Sequence, residues 1–447
     1  MILIGFLLLA VIAACIACFR PAWFWAVYVI APVLLEIPAI FLSYNINAIP
    51  LGPLLVRVTD VGTFGLLIGV IFHGLRHGFQ ALKRDPDGYC VAAILFFLLL
   101  KVLVTVAFGR DVILANPISS QALGGLVAAT GDIRDSLMAL VLPVYVYMTK
   151  ESYDLKKLGW PCICASCVIL LKAAISIAVT RTIWSANAED RFINAHEAVH
   201  LTIFSFILFF LSVPRLSPSL RRSFALGIFA VSLIANHRAQ WVAALASISV
   251  FVLIICLGRP FVGNPKLNRL LVTGFCLFLG MLLVGSSFVE SFAQQFPLFG
   301  DIAVRLYAIT DPSRDADASW RQALWQDRIR QVGDNWPWGR LLGDRHPVFF
   351  HGGWLLVPDH SAYVSIYELG GVILCVLVGI FWLRIIQVSV RRVLLAKDTE
   401  QMWVPLVALS ITAASLAFGV AYDFPWIGPS LALVFTLGQA GTRVHRE

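Results

Sequence analysis

Long apolar runs separated by short polar stretches dominate this chain. They fall at roughly 1–19, 22–42, 55–75, 90–108, 128–148, 160–179, 198–213, 222–236, 239–257, 270–287, 361–384, 402–419 and 427–441. Most approach the roughly 20 consecutive apolar residues that a helix needs to cross a hydrocarbon core. Backbone groups cannot stay unbonded in lipid, so runs of this length read as helices. The pattern predicts an all-α polytopic membrane protein of about 12–13 transmembrane helices. Only one polar interval is long, 288–360. It divides the chain into N-terminal spanning helices (1–287), a long loop (288–360) predicted to carry short helices, and C-terminal spanning helices (361–447).

Basic residues then orient the runs. Arg76, Lys83 and Arg84 fall in one short loop, and Lys150, Lys156 and Lys157 in the next. Arg215, Arg221 and Arg222 follow, then Arg259, Lys266 and Arg269, then Arg391, Arg392 and Lys397, with Arg443 and Arg446 in the tail. Under the positive-inside rule these alternate loops are cytoplasmic, which turns 43–54, 109–127, 180–197 and 288–360 outward. The outward side carries arginine and no lysine: Arg57, Arg110, Arg181, Arg191, Arg238, Arg305, Arg314, Arg321, Arg328, Arg330, Arg340 and Arg345. Guanidinium is a planar fork that meets phosphate oxygens in pairs, so an arginine set at a membrane face suits a diphosphate headgroup. The competing reading is salt bridging within the loop, where Asp301, Asp311, Asp315, Asp317, Asp327, Asp334 and Asp344 are interspersed.

Composition supports the membrane reading. Of 447 residues, 59% are hydrophobic and 13% charged, against about 25% charged in a soluble domain; the mean hydropathy is +0.83. A net charge of +8 would point to nucleic acid in a soluble protein. Here cytoplasmic lysine and arginine account for it, and no nucleic acid partner is expected. The nine cysteines form no disulfide framework. Cys162, Cys164 and Cys167 crowd one helix end without histidine or aspartate nearby, so no metal and no cofactor is expected. The first residues lack the charged region of a cleaved signal. Ile12-Ala13-Ala14-Cys15 faintly resembles a lipoprotein cleavage site, but the segment reads as a first spanning helix.

Charges inside the apolar runs are conspicuous. Lys101 lies within Leu98-Leu99-Leu100-Lys101-Val102-Leu103, and Lys172 follows Leu170-Leu171. Such a lysine either faces a partner or wet cavity or snorkels to an interface; both readings stay open, and Lys101 is the deeper of the two. Arg57 and Asp60 are spaced for a pair within one helix.

Three segments carry candidate chemistry. The outward turn Asn236-His237-Arg238-Ala239-Gln240-Trp241 puts Arg238 at or near a helix N-terminus, where anions are favoured. A lipid-headgroup anchor is the alternative. In the long loop, Trp320, Leu324, Trp325 and Ile329 predict an amphipathic helix on the membrane face, with Arg321 and Arg328 seven residues apart on a shared face. A turn-rich stretch, Asn335-Trp336-Pro337-Trp338-Gly339-Arg340, comes next. The loop ends in Asp359-His360-Ser361-Ala362-Tyr363, running on to Tyr367-Glu368-Leu369-Gly370-Gly371. His360, Tyr363 and Tyr367 are spaced for one helical face, and an imidazole there can take a proton near neutral pH; a capping role is the alternative.

Taken in order, the three segments resemble the O-antigen ligase and polymerase superfamily of bacterial envelope glycosyltransferases. Arg238, Ala239, Trp241 and Leu245 are similar to that family's short outer turn, although Asn236 and His237 stand where hydroxyl residues are usual. Arg321, Pro337, Gly339 and Gly343 resemble its Arg-bearing helix and Pro-x-Gly turn, with looser glycine spacing, and His360, Ser361, Tyr363, Glu368 and Gly370 match the motif that closes its loop. The resemblance covers mainly 230–385.

It implies a GT-C-like fold in the bacterial inner membrane with the active site facing the periplasm. It also implies inverting transfer of a glycan from undecaprenyl diphosphate to a hydroxyl of a glycan or of lipid A-core. In that reading His360, Arg238 and Arg321 are catalytic. Arg181, Arg191, Arg328, Tyr363, Glu368 and Trp325 bind substrate. The partners are the lipid-linked donor, the acceptor and the bilayer. A transporter or flippase for an anionic or lipid-linked cargo is the alternative from another class.

Overall fold

The computed structural model describes residues 2–21, 23–24, 48–51, 54–77, 86–108, 144–149, 155–180, 192–211, 213–235, 237–256, 269, 272–273, 276, 316–341, 348–350, 353–355, 361–396, 399–422 and 428–437. The described chain is mostly helical. It opens with α1 (Ile2–Phe19), a hairpin of β1 (Ala48–Leu51) and β2 (Leu54–Arg57), α2 (Val58–His77) and α3 (Pro86–Phe108). A single 3-10 turn (Leu155–Leu158) leads into α4 (Gly159–Thr180), followed by α5 (Ala195–Phe210), α6 (Pro218–Ile234) and α7 (Arg238–Cys256). The long loop contributes α8 (Ala316–Val332) and a hairpin of β3 (Val348–Phe350) and β4 (Gly353–Leu355). The chain closes with α9 (Ala362–Leu395), α10 (Thr399–Phe418) and α11 (Gly428–Leu437).

Four stretches among the described residues are long and apolar enough to cross a membrane: Gly88–Thr105, Gly159–Ala178, Ala362–Leu395 and Gln401–Phe418. Their free faces carry Phe96, Leu99, Leu103, Leu171, Val376, Ile380 and Leu383, all exposed. So broad an apolar surface suits hydrocarbon rather than water. The runs expected at 22–42, 128–148 and 270–287 lie largely outside the described residues. The helices are joined in two places by short antiparallel hairpins. The second lies in the long loop, where Val348-Phe349-Phe350 pairs with Gly353-Trp354-Leu355, a composition that suits extended pairing. Arg57 ends β2, one residue before α2 begins, so it does not share a helix with Asp60 as the spacing suggested.

Helix α10 is the axis of the bundle. It packs against α5, α7, α9 and α11, and 72% of its apolar window is buried, against 28% for α4. Small side chains let its neighbours approach. Ala243, Ala244, Ala408 and Ala414 are buried, and the Ser247 hydroxyl of α7 donates to the Ser410 carbonyl of α10 at 2.9 Å. Close approach of this kind is what drives helix association where lipid competes equally for apolar contact. Toward the start of α10, the rings of Phe206, Phe210, Phe251 and Trp403 stack at 4.4–5.3 Å, tying α5 and α7 to it.

Helix ends are closed by side chains, which matters most where water is scarce. Asn194 caps α5 by accepting from the Glu197 N–H at 2.8 Å, while Glu197 accepts from the Asn194 N–H at 2.8 Å, a reciprocal capping box. Arg221 of α6 donates to the Leu211 and Phe209 carbonyls at the other end of α5. The indole N–H of Trp241 donates to the Leu233 carbonyl at 2.8 Å, joining the last turn of α6 to the first of α7. Arg392 of α9 donates to the Thr436 carbonyl of α11.

Helix α9 is broken. Gly371 has φ +59° and ψ −157° inside its 34 residues. A Cβ there would sit 2.4 Å from the Trp336 carbonyl oxygen. Gly371→Ala is therefore expected to destabilise the protein by about 1–3 kcal/mol, a strained-backbone cost with a clash added. Gly379→Ala, in the same helix with nothing within 4 Å of the new methyl, is expected to be neutral or to stabilise by up to about 1 kcal/mol. Thermal unfolding of the two purified variants in one detergent measures the difference.

Candidate functional site

The break in α9 is filled by the turn that follows α8. In an unbroken helix the Val372 N–H would bond the Glu368 carbonyl. Here Val372 donates to the Trp336 carbonyl at 3.0 Å and Ile373 to the Pro337 carbonyl at 3.3 Å, while the Glu368 carbonyl accepts from the Arg340 N–H at 2.8 Å. Two N–H groups and one carbonyl of this stretch are thus bonded to the loop. The exchange needs close backbone contact. Gly339 has φ +72°, and a Cβ on it would lie 2.6 Å from the Glu368 oxygen and from the Gly371 nitrogen. The Pro-x-Gly turn and the Glu-x-Gly-Gly stretch, read from sequence as separate motifs, are thus two halves of one joint.

Charged side chains surround the joint. The buried Glu368 carboxylate lies 3.1 Å from Arg340 Nε and 3.7 Å from Arg328 Nη1. Lys101, reaching across from α3, donates to the Trp338 carbonyl at 2.9 Å and to the Arg340 carbonyl at 2.5 Å. One turn earlier on α3, Phe97 stacks on Trp338 with centroids 6.1 Å apart. Lys101 therefore faces a partner, and snorkelling does not describe it. Lys172, the other lysine in an apolar run, forms an ion pair with Glu197.

Arg321 sits near the start of α8 and meets α10. Its Nη1 donates to the Ala421 carbonyl at 3.2 Å, and its guanidinium lies 5.1 Å from the centre of the Tyr422 ring. Tyr422 stacks on Phe418 at 5.0 Å, and His196 from the first turn of α5 stands edge-on to both rings at 5.2 and 5.8 Å. The same 419–422 turn receives α9. The Ala362 N–H donates to the Gly419 and Tyr422 carbonyls at 2.9 Å, and the Ser361 hydroxyl points to Gly419 at 3.5 Å. Tyr363 donates its hydroxyl to the Leu416 carbonyl at 2.8 Å. At the head of α7, His237 Nε2 lies 2.8 Å from the Ile193 carbonyl, which leads into α5, and Arg238 is the first residue of α7. Below it Gln240 donates to Thr202 at 2.6 Å and Ser232 at 3.0 Å, a buried polar contact between α5, α6 and α7.

Of the residues singled out from sequence, Arg321, Tyr363 and the Ser361 end of the loop motif meet on the last turn of α10 and the 419–422 turn that follows it. Arg238 stands at the same end of the bundle, where α5 and α7 are tied together. Arg328 and Glu368 lie inward, against each other, and Trp325 is half-buried on α8. The apolar face of α8 differs from expectation. Leu324, Arg328 and Val332 are buried while Ile329 is exposed, so the ion pair with Glu368, not the hydrophobic stripe alone, sets the helix's rotation. His360, Arg181 and Arg191 lie outside the described residues. His196 and Tyr422 were not identified from sequence; only packing brings Tyr422 against Arg321 and His196 against Tyr422. Among the described residues, no group of three or more His, Cys, Asp or Glu could hold a metal ion. No protein-family model matches the chain, and no curated protein matches it significantly.

The Lys172–Glu197 pair can be tested directly. Glu197 is buried and Lys172 is 16% exposed. Lys172→Met alone leaves a buried carboxylate without its cation and is expected to cost on the order of 2–3 kcal/mol, somewhat less than for a fully buried pair. Adding Glu197→Gln is expected to recover part of that loss. A double-mutant cycle on thermal unfolding measures the coupling, and strict additivity would remove the pair from the account.

Proposed function

We propose that this protein is an inverting glycosyltransferase, an O-antigen or surface-polysaccharide ligase or polymerase. It moves a glycan from undecaprenyl diphosphate to an acceptor sugar hydroxyl at the periplasmic face of a bacterial inner membrane. The observation that carries the reading is that Arg321 and the start of α9 at Ser361 both rest on the 419–422 turn. The long loop thus delivers an arginine and the residue next to His360 to one end of an apolar bundle. Arg238 heads α7 at that end. The order and chemistry of these segments, together with their resemblance to the ligase and polymerase superfamily, support the same reading.

The reaction follows from the residue types. The acceptor oxygen bonds to the anomeric carbon as the bond from that carbon to the phosphate oxygen breaks. The electron pair leaves on the diphosphate, and the hydroxyl proton passes to His360. Attack opposite the leaving group inverts the anomeric configuration. Negative charge grows on the diphosphate in the transition state, where fixed guanidinium groups of Arg321 and Arg238 stabilise it most. Arg181 and Arg191 are further candidates for the same oxyanions. In this scheme arginines supply the charge that a divalent cation supplies in other glycosyl transfers.

One observation favours the alternative of a transporter, the broken helix α9, since carriers place substrate at such breaks. Here the freed N–H groups of Val372 and Ile373 and the freed carbonyl of Glu368 are bonded to the protein's own loop. The break therefore serves the loop's attachment, which supports the enzyme reading.

Purified protein in lipid nanodiscs, given an undecaprenyl-diphosphate glycan and an acceptor glycan, is expected to transfer with inversion and to be insensitive to chelator. Arg321→Ala and His360→Ala are each expected to lower the rate at least about 100-fold, the scale of losing one oxyanion donor or general base. Arg321→Lys is expected to recover little, because an ammonium does not reproduce the guanidinium fork. Full activity in Arg321→Ala and His360→Ala at normal protein levels would exclude these residues from the chemistry.

A further inference from the structure

We infer that Lys101 is a positioning residue for the transfer reaction. By clamping the 336–340 turn into the break of α9, it fixes the loop helix that carries Arg321. The inference rests on the glycosyl-transfer reading for what Arg321 does, and on the geometry of the joint for how Arg321 is held.

Three observations lead to it. First, Lys101 lies within an apolar helix, is buried, and spends two of its donors on the Trp338 and Arg340 carbonyls. These carbonyls flank Gly339, the residue that enters closest to α9. A buried ammonium is expensive in this setting and persists only with partners this close. Second, the turn's contacts with α9 tolerate little displacement if the clamp loosens. Its Trp336 and Pro337 carbonyls must stay aligned with the Val372 and Ile373 N–H groups, and in an apolar environment each unbonded group costs several kcal/mol. Third, the turn continues directly from α8 through the Gly333–Asn335 3-10 turn. Arg328, seven residues from Arg321 on α8, and Arg340 in the turn converge on Glu368. Lys101 and Glu368 thus grip the C-terminal end of α8 from two sides. At the N-terminal end Arg321 meets Ala421 and Tyr422. An Arg321 that meets a ligand needs its helix held from elsewhere as well. The anchoring is supplied by Lys101 and Glu368.

The test uses the full chain in lipid nanodiscs, with Lys101→Met, which keeps the length and removes the donors, and Lys101→Arg, which keeps donors for both carbonyls. Amide hydrogen exchange reads the joint without reference to activity. Lys101→Met is expected to raise exchange in 336–341, 369–375 and α8 while leaving α5 and α10 as in the parent; Lys101→Arg is expected to stay near the parent. Transfer kinetics read the consequence. Lys101→Met is expected to lower kcat about ten-fold or more with KM changed little, because a small displacement of Arg321 weakens transition-state charge stabilisation more than ground-state binding. Lys101→Arg is expected to recover most of it.

If Lys101→Met proves too unstable to purify, Lys101→Gln, which keeps one donor group, carries both measurements with a smaller expected change. Unaltered exchange in 336–341 overturns the clamp. Raised exchange with unaltered kcat overturns the positioning role. A parent protein that transfers no glycan overturns the glycosyl-transfer reading, and with it the kinetic role of Lys101. The exchange result would still decide how the loop is held.

Discussion

A helix crossing hydrocarbon has nowhere to put an unbonded N–H, so a break in one demands a replacement from within the protein. In α9 the replacement comes from the long loop. The Trp336 and Pro337 carbonyls accept from Val372 and Ile373, and the Arg340 N–H donates to the Glu368 carbonyl. At 34 residues, α9 would run about 51 Å if straight, well beyond a hydrocarbon core of about 30 Å. The break divides it into a short piece, 362–370, that belongs with the loop, and a piece from 372 onward that is long enough to span by itself. The loop and the C-terminal bundle therefore hold one another in place.

From that joint the placement of the site follows. The turn fixes the end of α8, and α8 lays Arg321 on the end of α10. The start of α9 is bonded to the same end of α10 through Ala362. Because α10 also packs against α5 and α7, the His196 and Arg238 ends of those helices share the neighbourhood. Four helix ends and one loop helix meet where α10 stops. A site built so that each side chain is carried by a different packed helix can hold charges in fixed positions, which is the property a transition state gaining negative charge requires.

Much of this framework was legible in the sequence, and the parts that were not share a cause. Apolar runs gave helix positions wherever one face or both were hydrophobic, as for α3, α4 and α10. The turn between α6 and α7 was marked by polar residues between two such runs. The loop helix α8 was visible from Trp320, Leu324 and Trp325, but its rotation was not, because Arg328 is buried against a carboxylate 40 residues along the chain and nothing local distinguishes it from Arg321 or Arg330. Gly370-Gly371 read as a motif, but not as a break. Glycine is compatible with a helix interior, and the left-handed φ of Gly371 depends on a turn that begins 35 residues earlier. Lys101 could not be paired at all from sequence. Its partners are backbone carbonyls, and carbonyls carry no signature.

The fate of the two lysines also bears on what kind of protein this is. Cations within apolar helices mark a transport pathway in many membrane proteins, and Lys101 and Lys172 are such cations. Each is committed to the protein's own structure, Lys101 to two carbonyls of the loop turn and Lys172 to the carboxylate that caps α5. Neither commitment is one that a cargo could share without dismantling a helix end or the joint in α9. Arg321 differs in kind. It donates to the Ala421 carbonyl and lies against the Tyr422 ring, at the end of the bundle rather than inside an apolar helix. Lysines committed to the frame, with the arginines gathered at its end, suit the proposed reaction performed in place better than a substrate carried through.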